Sequence, residues 1–278
     1  MKKNRHIFTG ILVWVFLIGT SLFVLYPLVY VFAAAFSPQQ NIASLSVVPF
    51  GNGFTLDNFI YLFQETDFPL WFRNTLIIAV ATTISTVFVC ALSAYVFSRF
   101  RFVFKRSLMM SLLILQIFPS FVGMVAIYVI LLRIGGLNTL WGLVLVYLAG
   151  NIPYNTWMVK SYLDTIPKSL DEAARIDGAS HFQIFRKVVM PVAKPILILL
   201  TITSFIAPWM DFIFPKLVLR SSEVQTIAQG LFGFVTDKKN LFAAFSAGSL
   251  LIAIPFIIFF VLTQKTLITS LSGAAVKE

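Results

Sequence analysis

Six long apolar blocks limit what this chain can fold into, because each exceeds the roughly 18 residues that span a bilayer as a helix. A water-exposed protein with 59% hydrophobic and 12% charged residues could not cover so much apolar surface. The sequence therefore predicts an all-α integral membrane protein with six transmembrane helices. The predicted blocks are Ile11–Phe36, Phe72–Phe97, Leu108–Leu132, Leu140–Met158, Pro195–Pro215 and Phe245–Thr263.

The positions of Lys and Arg predict how these helices are oriented. If the N-terminus lies inside, the majority of the 21 basic residues flank the inner helix ends, as the positive-inside rule requires. Both termini and the loop between the fourth and fifth helices are then cytoplasmic. Because the first block is longer than the apolar run of a signal peptide, we expect an uncleaved helix. Residues 1–278 are expected to form one multi-pass domain in the cell membrane, with helices two to six (about 70–265) as its core.

Several classes of function are disfavoured by what the sequence lacks. Its net charge of +10 is concentrated at helix ends and not along one face, so nucleic-acid binding is not expected. His6 and His181 lack metal-ligand spacing, and Cys90 is the single cysteine, so we expect neither a metal site nor a disulfide within the chain. Without a P-loop or a Ser/His/Asp arrangement, the chain is expected to bind no cofactor, to have no catalytic residues and not to be an enzyme.

The loop at about 164–194 differs from the rest of the chain because it is charged and rich in helix caps. Ser169 with Glu172 predicts a capping box at the start of a short helix. Gly178 suits the left-handed position after that helix, and Ser180 with Gln183 predicts a second capping box. One face of the first helix carries small or mildly apolar side chains, which are Leu170, Ala173, Ala174 and Asp177. This pattern predicts a rigid, exposed element shaped for docking, and it leaves the partner open.

The same loop resembles the EAA loop of ABC-importer permeases, which follows the pattern EAA-x3-G-x9-I-x-L-P. The matching residues here are Glu172, Ala173, Ala174, Gly178 and Pro191, with Val188 and Met190 in place of Ile and Leu. The segments Arg73–Phe102 and Pro208–Pro215 and the terminal GAAVKE are similar to permeases of maltose/maltodextrin-type carbohydrate importers. The resemblance implies that the loop couples the membrane helices to a cytoplasmic ATPase.

The resemblance also implies the partners and the cargo. It implies a heterodimer with a second permease, a cytoplasmic ABC ATPase dimer that hydrolyses the ATP, and an extracellular solute-binding protein. The implied cargo is maltodextrin or a related oligosaccharide. An ABC permease for peptides or amino acids is an alternative that the loop motif permits. An ATP-independent secondary transporter is a further alternative, which the lack of a set of intramembrane carboxylates disfavours.

Five polar or amphipathic side chains are candidates for lining a sugar path, because sugars bind aromatic faces and hydrogen-bonding groups. The candidates are Gln116, Tyr128, Tyr147, Asn155 and Asp211. Asp211 is expected near the outer end of the fifth helix, where it would tune an outer gate or the contact with the binding protein and not carry protons. Pro119 predicts a kink in the third helix. Small residues spaced four apart in the second helix, such as Ala79/Thr83 and Cys90/Ala94, predict close helix packing.

Overall fold

The computed structural model describes the backbone of residues 2–117, 120–236 and 240–275, and it contains helices and no strand within these ranges. The helices are α1 (Lys2–Ala35), α2 (Asp57–Gln64), α3 (Phe68–Arg99), α4 (Lys105–Ile117), α5 (Ser120–Arg133), α6 (Leu140–Asp164), α7 (Ser169–Ile176), α8 (His181–Ile184), α9 (Met190–Val192), α10 (Lys194–Met210), α11 (Ile213–Val218), α12 (Ile227–Thr236) and α13 (Phe242–Ala275). A π-helical segment, Phe185–Val189, joins α8 to α9.

The chain divides into two compact units, of which the first comprises residues 1–69 and 230–254. In this unit α1 is exposed from Ile11 to Val29, and only Ala33, Ala34 and Ala35 at its end are buried. The end of α1 is held by the buried Asn58, whose amide donates hydrogen bonds to the carbonyls of Ala35 and Ser37 at 2.9 and 2.8 Å. An exposed apolar helix of this length suits a hydrocarbon surrounding better than water.

The second unit, residues 70–229 and 255–278, has a core in which α3, α6 and α10 meet. The small side chains Ala79, Thr82, Thr86, Cys90 and Ala94 of α3 are all completely buried. Cys90 and Ala94 pack in one cluster with Val159 and Leu163 of α6 and Leu200 of α10. Small residues let helices approach closely without a void, which fits the packing role predicted from their spacing.

Within the residues that the structure describes, three helices are long and apolar enough to cross a membrane, namely α1, α3 and α13. The count rises to five if two bent pairs, α4 with α5 and His181–Val192 with α10, each form one span. The predicted fourth block lies in α6, whose 25 residues extend about 37 Å at 1.5 Å per residue. Asn151, Pro153 and Asn155 dilute the hydropathy of this helix. The described helices thus include three to five spans by this criterion, and α6, which holds the fourth predicted block, does not meet it.

The fifth block differs from its prediction as a single helix reaching Pro215. Helix α10 ends at Met210, and Asp211 has an extended backbone with φ −86° and ψ 125°. The Asp211 carboxylate accepts hydrogen bonds from the N–H groups of Ile213 and Phe214, so it starts α11 and does not continue α10. The kink predicted at Pro119 lies outside the described residues.

Candidate functional site

The α7–α8 loop, residues 165–193, connects α6 with α10 and contains the glycine of the sequence motif. Gly178 follows α7 with a φ of +81°, in the left-handed region that favours glycine. Its N–H donates to the carbonyl of Arg175 at 3.0 Å, and the N–H of Ala179 donates to the carbonyl of Ala174 at 2.9 Å. These two bonds form a Schellman motif, which stops α7. The left-handed position predicted for Gly178 is confirmed.

The capping box predicted for Ser169 and Glu172 does not form at the start of α7. The N-cap is Lys168, which makes no side-chain cap, and its carbonyl accepts the N–H groups of Asp171 and Glu172. The helix therefore begins one residue before the prediction, and this places Ser169 inside the first turn. Glu172 is exposed, so its carboxylate is free for a surface role instead of a capping role.

The second capping box, at the start of α8, is confirmed. Ser180 Oγ accepts the N–H of Gln183 at 3.3 Å, and Gln183 Oε1 accepts the N–H of Ser180 at 2.7 Å. The helix then widens into the π-helical segment just before the exposed Pro191. Proline cannot donate to the carbonyl four residues earlier, and its ring crowds that carbonyl, so a wider turn relieves the conflict. At Ala193 the chain bends by 80° into α10.

The buried side of α7 is fastened by an ion pair. Arg99 Nε, at the end of α3, lies 2.6 Å from Asp171 Oδ2, and the two side chains are only 3% and 8% exposed. The other guanidinium nitrogens of Arg99 donate to the carbonyls of Leu163 and Ile166, at the end of α6, at 3.0 and 3.2 Å. One guanidinium therefore joins α3, α6 and α7. Removal of one partner from a buried pair like this typically costs about 3–5 kcal/mol.

A second charged group lies beside this pair at the ends of α3 and α6. Asp164 accepts hydrogen bonds from Ser98 Oγ at 2.7 Å and from Lys160 Nζ at 2.5 Å. Partial burial raises the pKa of Asp164, but the hydrogen bonds from Lys160 and Ser98 outweigh that effect and hold the pKa below its usual value. The carboxylate therefore stays ionised and links the same two helices a second time.

Helix α8 rests on aromatic side chains of this region. The rings of Phe100 and His181 are 4.9 Å apart, and those of Tyr95 and Phe185 are 5.1 Å apart. The Tyr95 hydroxyl also donates to the carbonyl of His181 at 3.3 Å. Ala174 and Ala179, which flank the Schellman turn, pack against the same core as Tyr95. The loop thus has a firmly packed inner side.

The opposite side of the loop is exposed and partly apolar. Ile176 is 87% exposed, Phe182 is 66% exposed and Leu170 is 43% exposed. Glu172 and Ala173 of the sequence motif are exposed with them, whereas Ala174 is half-buried. The face predicted to be shared by Leu170, Ala173, Ala174 and Asp177 is therefore divided between the core and the surface.

Three of the predicted path residues, Tyr128, Tyr147 and Asp211, make polar contacts away from the loop. The Tyr147 hydroxyl donates to Asp211 Oδ2 at 2.9 Å, which links the middle of α6 to the chain beyond α10. Tyr128 of α5 contacts Arg220, whose guanidinium lies 5.5 Å from the ring centroid and donates to the tyrosine oxygen. Asn138, with φ +58°, accepts the N–H groups of Arg220 and Ser221 through Oδ1 at 2.8 and 2.9 Å. These contacts fix the segment after α10.

The remaining two path candidates are not joined to these residues by any described contact. Asn155 is buried and donates to the carbonyl of Asn151 in its own helix at 2.9 Å. Gln116 is exposed on α4, and the described residues give its side chain no hydrogen bond. The five candidates thus form no single continuous lining.

Sequence reasoning missed the role of Arg99 and Asp171. Arg99 is one of the basic residues at helix ends that served only to predict the orientation of the helices. A signal did exist, because Asp171 lies three residues before Ala174 and so shares its buried face. A buried carboxylate requires a cation, but the sequence does not indicate that the cation is 72 positions earlier.

Comparison with known proteins places this architecture in a family. Residues 86–268 match the family described as binding-protein-dependent transport system inner membrane component. The chain is 37% identical over 276 residues to the maltodextrin transport system permease protein MdxG of Bacillus subtilis, covering 99% of each protein. It is 33% identical over 281 residues to the galactooligosaccharides transport system permease protein GanQ of Bacillus subtilis, covering 100% of this chain and 98% of that protein.

A solved structure has the same fold. The chain is similar to one in the crystal structure of a bacterial ABC transporter involved in the import of the acidic polysaccharide alginate. The TM-score is 0.78 with 23% sequence identity, and the match covers 93% of this chain and 96% of that chain. At this identity the likeness shows the fold.

These matches confirm the resemblance found in the EAA loop, and they confirm a multi-pass membrane protein with a transport role. Because its relatives are transport permeases, the expectation that the chain is not an enzyme is also confirmed. The chain belongs to the family of inner membrane components of binding-protein-dependent transport systems, and it is a membrane permease of the ABC-importer type.

Proposed function

We propose that this permease forms part of the path by which an ATP-driven importer moves maltodextrins or related oligosaccharides across the cell membrane. The observation that carries this proposal is the two-sided α7–α8 loop. Its inner side is tied to α3 and α6 through Arg99, and its outer side exposes apolar residues next to Glu172 and Ala173. A partner that displaces this loop would therefore also displace the membrane helices to which the loop is tied.

The exposed residues of the loop suit a protein partner. Ile176 and Phe182 lie outside the apolar blocks, so the membrane interior does not cover them. Exposed apolar side chains with a charged neighbour are typical of a docking surface. The chain contains no P-loop, so the partner we propose is a cytoplasmic ABC ATPase dimer that binds and hydrolyses the ATP.

The cargo and the remaining partners follow from the relatives. Two relatives that span almost the whole chain are named for maltodextrins and for galactooligosaccharides, which supports an oligosaccharide cargo over peptides or amino acids. We propose a heterodimer with a second permease, supplied by an extracellular solute-binding protein. Tyr147, with Asp211, is the best-placed path candidate, because the pair offers an aromatic face and a charged acceptor together.

We expect transport to require ATP. A substitution at the exposed Ile176 tests where the ATPase docks. Ile176→Glu, in the complex of both permeases with the ATPase and binding protein, should lower ATPase co-purification about tenfold or more, as loss of a central interface residue does. The matched control is Val103→Glu, because Val103 is 92% exposed and lies between α3 and α4, outside the loop. This control should co-purify normally.

The measurement pairs co-purification with uptake of labelled maltodextrin into proteoliposomes, with and without ATP. Equal loss in both variants would show that the docking surface is not the loop. Uptake driven by a proton gradient in the absence of ATP would instead favour the secondary transporter, and ATP-driven uptake of peptides with no uptake of maltodextrin would favour the other cargo class.

We also propose a topology of six transmembrane spans with both termini in the cytoplasm. The concentration of Lys and Arg at one set of helix ends supports this topology. Reporter domains fused after Lys105 or Lys168 should be cytoplasmic, and those fused near Asn58 or Glu223 should be extracellular. The measurement is the activity of a compartment-specific reporter. An extracellular signal at Lys168 would contradict both the topology and the docking of the loop to a cytoplasmic ATPase.

A further inference from the structure

We propose that Arg99 is a positioning residue that fastens α7 to the ends of α3 and α6, so that a displacement of the loop moves both long helices together. This inference rests on the proposed function, which supplies the ATPase that displaces the loop. Arg99 is almost completely buried, and it acts through Asp171 and through the carbonyls of Leu163 and Ile166.

Helix α7 is short. It has eight residues, and isolated helices shorter than about 12–15 residues are marginal in water. Its inner side offers the small side chain of Ala174 to the core, which supplies little contact area. The Arg99–Asp171 pair is almost completely buried and brings opposite charges together, so it holds α7 in place more firmly than a small apolar contact does.

The guanidinium of Arg99 binds the backbone where α6 ends. The carbonyls of Leu163 and Ile166 lie in the last turn of α6 and just beyond it, where a cation is favoured. Arg99 donates to both carbonyls while its Nε faces Asp171, so α6 determines the direction in which Nε points. A lysine has a single ammonium group and cannot hold this planar arrangement.

The neighbouring group of Lys160, Asp164 and Ser98 joins only α6 and α3. Lys160 and Asp164 both lie on α6, and Ser98 Oγ links Asp164 to α3. No described contact joins this group to α7. The two groups therefore lie at the same helix ends, but Arg99 alone of their residues extends the connection to the loop, through Asp171.

The test uses the complete complex, comprising both permeases, the ATPase and the binding protein, in proteoliposomes. Arg99→Lys keeps the charge and removes the fork, and Asp171→Asn keeps the shape and removes the charge. ATPase co-purification per permease molecule should stay near that of the wild type, and because loss of a charge from a buried pair lowers stability, every readout is taken per molecule in the membrane. The amount of labelled maltodextrin taken up per ATP hydrolysed should fall roughly tenfold, within the range of coupling between sites. If Arg99→Lys fails to reach the membrane, Asp171→Asn decides the outcome.

The matched control is Arg101→Lys, which makes the same chemical change two positions away. Arg101 is exposed, and no described residue pairs with it. Its substitution should leave uptake per ATP unchanged. An equal loss in this control would overturn the proposal, because the effect would then follow from any change in the basic segment.

A rescue experiment separates positioning from mere neutralisation of a buried charge. In a Cys90→Ala background, the pair Arg99→Cys and Asp171→Cys is treated with a short bifunctional thiol cross-linker. The covalent tie should restore uptake per ATP, and it should do so without restoring any charge.

Three results would overturn the proposal: unchanged uptake per ATP in the single variants, loss of ATPase binding as their primary defect, or no recovery in the cross-linked pair. By contrast, a wild-type complex that takes up maltodextrin without ATP would overturn the proposed function itself.

Discussion

A Gly178→Val permease should reach the membrane at a near-normal level and lose ATPase association and uptake together. Gly178 has a φ of +81°, and a residue with a Cβ pays about 1–2 kcal/mol in this left-handed region, with a β-branched residue paying more. A Cβ built at this position meets no atom within 4 Å. The cost therefore comes from the backbone alone and not from a clash, and it is too small to prevent insertion of the whole protein.

The variant can relieve this strain by rotating φ to a negative value, and that rotation has a definite consequence. It breaks the Schellman bonds from Gly178 to Arg175 and from Ala179 to Ala174. The angle between α7 and α8 then changes, and with it the position of the exposed Ile176 of α7 relative to the exposed Phe182 of α8. A partner that fits a rigid surface loses its contact even though both helices persist.

The control for this prediction is Gly178→Asn, because asparagine adopts the left-handed conformation far more readily than valine. It should retain most ATPase co-purification and most uptake. Both variants are compared with the wild type for membrane level, ATPase co-purification and maltodextrin uptake in the same cells. Normal docking and uptake in Gly178→Val would show that the angle between α7 and α8 does not matter for coupling.

The features that could be predicted from the sequence are those set by neighbouring residues. The apolar blocks predicted the long helices, because length and hydropathy are local properties. Gly178 and the Ser180/Gln183 box were predicted correctly, since both depend on residues only a few positions apart in the chain. The EAA-x3-G spacing also has a structural explanation. It places Ala174 at the start of a Schellman motif and Gly178 at its left-handed position, with Ala174 packed against the core.

Some local predictions were wrong by small margins with definite causes. Ser169 was expected to cap α7, but Lys168 has a helical backbone, with φ −68° and ψ −21°, and its carbonyl accepts the first bonds. A shift of one residue removes a capping box, because the serine then lies inside the helix. The fifth block was expected to continue to Pro215, but the Asp211 side chain binds the N–H groups of Ile213 and Phe214 and so favours a new helix.

Contacts between distant residues could not be predicted from spacing. Arg99 and Asp171 are brought together by the packing of α3 against α6, and neither residue carries a motif that names the other. Tyr147 and Asp211 were both identified as candidates, but their hydrogen bond depends on how α6 lies beside α10. Residue type therefore indicated what such groups can do, and the fold determined which of them meet.

Gly142→Ala should lower the amount of folded permease severalfold, because the added methyl group meets the backbone of the preceding turn. A Cβ at Gly142 would lie 2.0 Å from the carbonyl oxygen of Gly136, so the backbone itself must move. The same turn holds the N-cap of α6, where Thr139 Oγ1 accepts the N–H of Gly142 and donates to the carbonyl of Gly136. Loss of the cap costs about 1 kcal/mol, and the overpacking costs about 1–3 kcal/mol more.

Gly150→Ala is the matched control, because Gly150 lies in the same helix and a Cβ there meets nothing within 4 Å. This substitution should be neutral or stabilising by up to about 1 kcal/mol, since alanine is the better helix former. The measurement is the membrane level together with the temperature at which detergent-solubilised protein aggregates. Equal behaviour of the two alanine variants would show that the close approach at Gly142 is not required.

The Gly142 turn also affects the candidate path, which distinguishes this variant from Gly178→Val. Asn138 lies in the same turn and binds the backbone of Val218, Arg220 and Ser221. A displaced turn therefore releases the segment that follows Asp211, and the fraction of Gly142→Ala protein that survives should take up less maltodextrin per molecule. ATPase co-purification per molecule should stay normal, because the α7–α8 loop lies at the opposite end of α6. Loss of co-purification, with uptake per bound ATPase unchanged, would contradict this separation of the two ends.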